Sequence, residues 1–111
     1  MIAVAWFLLA GAIAAEIVAT LALRGTAGSF RPVLVATVAA GYLTSFVLMA
    51  ITLRTLNVGI VYAIWSGVGT VGVAIAATIL YHEHLNKAAI AGMALVVIGV
   101  VLLTTSGATT H

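Results

Sequence analysis

The chain has 111 residues, of which 65% are hydrophobic, 5% are charged and none is cysteine. Soluble domains carry about 25% charged residues, so four Lys or Arg and two Asp or Glu cannot build a water-facing shell, and most side chains must face lipid or protein. Four basic residues are also too few for a nucleic-acid patch, and without cysteine there is neither a disulfide nor a thiolate metal site.

A membrane-spanning helix takes about 20 apolar residues. Four use about 80, which leaves three short loops and two tails. The predicted fold is therefore an all-α membrane protein, a single four-helix transmembrane domain over residues 1–111 with helices at about 2–23, 33–53, 60–81 and 88–104. Continuous apolar runs, without in-and-out alternation, exclude a β-barrel. The gaps hold turn residues: Gly25, Gly28 and Ser29 ahead of Pro32, then Asn57 and Gly59, then His82 to Asn86. Pro32, the only proline, is placed where a helix can start without losing a hydrogen bond.

The first helix carries the one misplaced charge. It resembles a secretory signal in its small residues Ala10, Ala12 and Ala14, but it has no basic leader and Glu16 interrupts its end, so no cleavage is expected. Glu16 precedes Arg24 by about 12 Å of helix at 1.5 Å per residue, well inside the hydrocarbon. An acid at that depth costs about 2.5–3.5 kcal/mol on insertion scales. Residues retained at such cost are functional by default, which points to a proton or cation site; the plainer role is a neutral acid that fixes helix packing. Ala12, Ala19 and Thr20 share its face by helical spacing and leave room for a neighbouring helix or a ligand.

On the second helix Tyr42 and Phe46 are four residues apart. On the third, Tyr62, Trp65 and Ser66 fall three and four apart, a spacing that lets all three point into one cavity. Aromatic faces attract cations most strongly where water is excluded, so a cavity is favoured over an interfacial aromatic belt. Gly67, Gly69 and Gly72 follow at once, and allow either a kink or close packing. The fourth helix presents Gly92, Val96, Gly99 and Leu103 at heptad spacing and suits packing or dimerisation. His82-Glu83-His84 is weak as a metal site and reads as a solvated loop. Ser66 has no His within helical reach, and all three His lie outside the spans, so an enzyme is not expected.

Ala15-Glu16, Gly41-Tyr42 with Ser45, the block Gly59-Ile60-Val61-Tyr62-Ala63-Ile64-Trp65-Ser66-Gly67-Val68-Gly69, Gly92-Met93 and Ile98-Gly99-Val100 together resemble the small multidrug resistance transporters over nearly the whole chain. The resemblance implies an antiparallel, dual-topology homodimer in a bacterial inner membrane that exchanges protons for lipophilic or quaternary ammonium cations, with no cofactor. It implies that Glu16 of both subunits binds proton or drug and that Tyr42, Tyr62, Trp65 and Ser66 line the site. It further implies a helix-three kink at Gly67, Val68 and Gly69, and a dimer contact from Gly92 to Gly99 that includes Val96.

Ala19 and Ser66 are similar to the quaternary-ammonium branch; the guanidinium-exporting branch typically has Trp and Thr at those positions. Val61 departs from the more usual Ala and bears on substrate range, and Arg31 lies where that branch often has a Trp nearby. Arg24, Arg31 and Lys87 in loops one and three against Arg54 in loop two give a small charge bias, which permits insertion in both orientations. The alternatives are a guanidinium exporter of the same family, or a membrane scaffold in which Glu16 only pairs helices.

Overall fold

The computed structural model describes residues 2–26, 31–107 and 109–110; the expected turn residues Gly28 and Ser29, and the terminal His111, lie outside them. Four helices follow one another: α1 (Ile2–Gly25), α2 (Pro32–Thr52), α3 (Val58–Leu80) and α4 (Lys87–Thr105). All four are long and apolar enough to cross a membrane. Their ends differ from the apolar runs because a helix stops where its hydrogen bonding stops, not at the first charge. Thus α1 takes in Arg24, a cation in the last turn where the helix dipole favours it, and α3 starts at Val58.

Local chemistry sets the starts. Arg31 is extended, as a residue before proline must be, and Pro32 begins α2. Asn86 caps α4, its Oδ1 accepting from the Ala89 N–H at 2.8 Å. Between α2 and α3, Leu56 is fully buried and pairs with Thr110 in an isolated antiparallel bridge. Asn57 N–H donates to the Thr109 carbonyl at 2.8 Å, so the chain end folds back over this loop.

The helices lie side by side. α1 packs on both α2 and α3, and α3 packs on α4. Each helix packs only on its neighbours in that series, and the 34 Å breadth is what four helices side by side at about 8–10 Å between axes require. The chain is therefore an open layer in the order α2, α1, α3, α4.

Each seam has its own residues. Ala5, Leu9 and Ile13 of α1, four apart, meet Val61 and Ile64 of α3 around the buried Leu56. On the α2 side small residues allow close approach. A Cβ on Gly41 would stand 2.7 Å from the Ala19 Cβ and 3.0 Å from the Ala15 carbonyl oxygen. The buried Ser45 hydroxyl donates to the Ala12 carbonyl at 2.7 Å. α4 has no buried residue, and a Cβ on Gly92 or Gly99 would meet nothing within 4 Å.

Candidate cation-binding site

Glu16 stands 14 residues into α1, about 21 Å from its start, and faces α3. Its carboxylate has two different sides. Oε1 accepts a hydrogen bond from the Thr20 hydroxyl at 2.9 Å, one turn further on. The Thr20 oxygen lies 2.7 Å from the Tyr42 hydroxyl. Since Thr20 gives its single hydrogen to Glu16, Tyr42 must donate to Thr20. Oε2 is buried and has no partner among the described residues. An unsatisfied buried polar atom costs about 1–3 kcal/mol, and more when charged.

That free oxygen belongs to a cavity of about 440 Å³ lined by Glu16, Thr20, Trp65, Ser66, Thr70 and, at its far end, Ala77 and Glu83. From Trp65 to Ala77 the lining follows α3 for about 18 Å at 1.5 Å per residue. The space therefore reaches from mid-membrane to the helix end. Trp65 supplies an aromatic wall, and its Nε1–H is a second buried group without a partner among the described residues. Among the described residues, neither Ser66 nor Thr70 spends its hydroxyl on a backbone carbonyl one turn back, as Thr37, Thr52 and Thr78 do. The cavity thus joins a carboxylate, an aromatic face and free hydroxyls in an apolar surround, a combination suited to a cation with an apolar body.

Of the residues expected at the site, Glu16, Trp65 and Ser66 line this one cavity. Tyr42 joins through Thr20. Tyr62 stands outside the cavity within one chain, 62% exposed, with its ring 5.8 Å from that of Trp65. At the expected kink, α3 stays helical through Gly67, Val68 and Gly69; Gly67 admits Val96 and Val100 of α4, Gly69 faces the Glu16 carboxylate, and Val68 is exposed. Val96 therefore packs within the chain, while Gly92 and Gly99 face open space. Sequence reasoning placed Thr20 on the right face without giving it a role, and it passed over Thr70, which stands four residues after Ser66. Glu83 lies in an exposed loop, as expected, and also lines the cavity.

The family described as Small Multidrug Resistance protein matches residues 4–96. The chain belongs to that family. Among its relatives, a multidrug transporter of Pseudomonas aeruginosa is 44% identical over 95 residues, 86% of either chain. The quaternary ammonium compound-resistance protein QacF of Klebsiella aerogenes is 41% identical over 98 residues, 88% of this chain and 89% of its own. The nicotine metabolites export pump subunit NepA of Paenarthrobacter nicotinovorans is also 41% identical over 98 residues, 88% of this chain and 84% of its own. Membership of the Small Multidrug Resistance family makes this a multi-pass membrane protein of a transporter family and not an enzyme. Within the matched range lie Glu16, Tyr42, Trp65, Ser66 and the rest of the cavity.

Proposed function

We propose that this protein is a proton-coupled antiporter that exports lipophilic and quaternary ammonium cations across a bacterial inner membrane, working as an antiparallel homodimer. The observation that carries the reading is the unpartnered Oε2 of Glu16, buried in a mid-membrane cavity beside Trp65. The ionised carboxylate attracts the cation while the indole and neighbouring apolar groups hold its body. A proton arriving on Glu16 removes the attraction and releases the cargo. Coupling follows because both ligands compete for one group, so each lowers the occupancy of the other.

The open layer supports the dimer. Among the described residues the cavity is lined by α1, α3 and Glu83 alone, and α4 presents Leu95, Ile98 and Leu102 outward beside Gly92 and Gly99. A second copy, inserted in the opposite sense and joined along α4, covers the cavity, adds a second Glu16 and gives the exposed Tyr62 ring cargo to touch. Gly67, Val68 and Gly69 serve as the point where α3 bends between two access states. The names of the relatives, a multidrug transporter and a quaternary ammonium compound-resistance protein, agree with this cargo.

The test is tetraphenylphosphonium binding and pH-driven ethidium efflux from proteoliposomes, with Glu16→Gln and Glu16→Asp. Saturable binding that strengthens as pH rises, reduced to a weak residue in Glu16→Gln and kept with an altered pH dependence in Glu16→Asp, is expected. Undiminished gradient-driven efflux by Glu16→Gln overturns the reading, and a wild-type chain that binds no cation leaves Glu16 a packing residue.

A further inference from the structure

The long cavity ends at a second arrangement of the same chemistry. α3 stops at Leu80, and the Tyr81 N–H still donates to the Ala77 carbonyl. The Tyr81 hydroxyl reaches across to α1 and donates to the Leu21 carbonyl at 2.8 Å, which fixes the ring beside the end of that helix. His82 then takes a left-handed conformation, φ 55°, which a non-glycine residue adopts uncommonly and at some cost. That reversal turns the chain back, and Glu83 lines the cavity together with Glu16 and Ala77.

Glu83 already has a cation beside it, supplied by the chain itself. Arg24 Nε stands 3.5 Å from Glu83 Oε2, and its guanidinium carbon lies 4.8 Å from the centroid of the Tyr81 ring. Arg24 is thus a cation held between a carboxylate and an aromatic face, the pairing that Glu16 and Trp65 offer deeper in the same space. We propose that Glu83 and Tyr81 form an outer cation site, which Arg24 fills in the empty protein and yields to a lipophilic cation on its way to Glu16. This rests on the reading that the cavity receives such cations.

Two features make the exchange feasible. Both partners of the ion pair are about half exposed, 51% and 48%, and such pairs are weak. A cation with a larger apolar body also covers more of the Tyr81 ring than a hydrated guanidinium does, and the aromatic attraction strengthens as water leaves. Arg24 keeps Glu83 neutralised until cargo arrives, and its positive charge, once released, discourages a second cation from following.

The outer site is measured with the inner one disabled, by tetraphenylphosphonium binding to the full chain in detergent at pH 8 and low salt. In a Glu16→Gln background, Arg24→Gln is expected to raise the residual affinity about threefold. Adding Glu83→Gln is expected to abolish that gain, as is 1 M salt, where screening acts within about 3 Å. No gain from Arg24→Gln overturns the proposal. So does an equal gain when Glu83 is already Gln, because that result is the general effect of removing a positive charge. Should Arg24→Gln fail to fold, Glu83→Gln alone decides: it must slow tetraphenylphosphonium association to the otherwise wild-type chain at low salt, and an unchanged rate refutes the site. Because Glu16 is absent from the main measurement, loss of coupled transport and loss of the outer site are separate results.

Discussion

The Glu16 carboxylate lies directly against Gly69 of α3: a Cβ built on that glycine would stand 3.1 Å from Oε2. The contact is closer than a methyl group and a carboxylate oxygen normally accept, so the absent side chain is what lets the acid face the cavity. Gly69→Ala is expected to push the carboxylate aside by a few tenths of an ångström and to weaken tetraphenylphosphonium binding about three- to tenfold. Gly72→Ala is the matched control. Its Cβ would meet the tip of Ile17, at 2.6 Å from Cδ1, and that flexible methyl can turn away. Binding isotherms for the two variants check the contrast.

Gly41 tests the α1–α2 seam. Its added Cβ would run into the Ala19 Cβ and the Ala15 carbonyl oxygen, backbone and near-backbone atoms that cannot rotate out of the way. Gly41→Ala is expected to destabilise the fold by about 1–3 kcal/mol, the usual cost of overpacking. Gly59→Ala, whose Cβ would meet nothing within 4 Å, is expected to leave stability unchanged. Thermal unfolding in detergent measures both.

Thr20 is the donor that stabilises charge on Glu16 Oε1. Thr20→Val keeps the shape and removes the hydrogen bond, so the ionised carboxylate loses its protein donor. The bond is what holds the carboxylate in place with Oε2 toward the cavity, so cation affinity is expected to fall about three- to tenfold as that orientation is lost. Thr20→Ser is expected to restore it. Tyr42→Phe, which removes only the bond into Thr20, is expected to have a smaller effect in the same direction. Titration calorimetry of the three variants checks the order.

The dimer proposed above makes a prediction that spares the single-chain fold. A side chain at Gly92 or Gly99 has open space within its own chain. Gly92→Leu and Gly99→Leu are therefore expected to leave helix content intact while they abolish the dimer and cation binding with it. Light scattering of the detergent-solubilised protein, read beside circular dichroism, separates assembly from folding. An intact dimer in both variants would show that the two chains meet elsewhere.

Much of this protein could be read from residue order alone. Four apolar runs of spanning length, divided by a few charges, determine four membrane helices, because backbone groups in hydrocarbon must satisfy one another within the helix. The depth of Glu16 follows from counting residues to Arg24, and its expense in lipid makes it the candidate for the site. What counting could not reveal is which partners each face would meet. Helical spacing put Tyr62, Trp65 and Ser66 on nearly one side of α3, yet the packing of α1 on that helix admits Trp65 and Ser66 to the cavity and leaves the Tyr62 ring outside it. The same packing made Gly67 a seat for Val96 and Val100, and Gly69 a seat for a carboxylate, where the sequence leaves a kink and close packing equally open. Glu83 is the clearest case. Nothing local to His82-Glu83-His84 points inward; the Tyr81 bond to Leu21 and the backward turn at His82 do that, and both depend on where the ends of α1 and α3 come to rest. Periodicity and hydropathy belong to one helix at a time, so the sequence determined the spans and the acid, and contacts between helices distant in the chain decided the cavity.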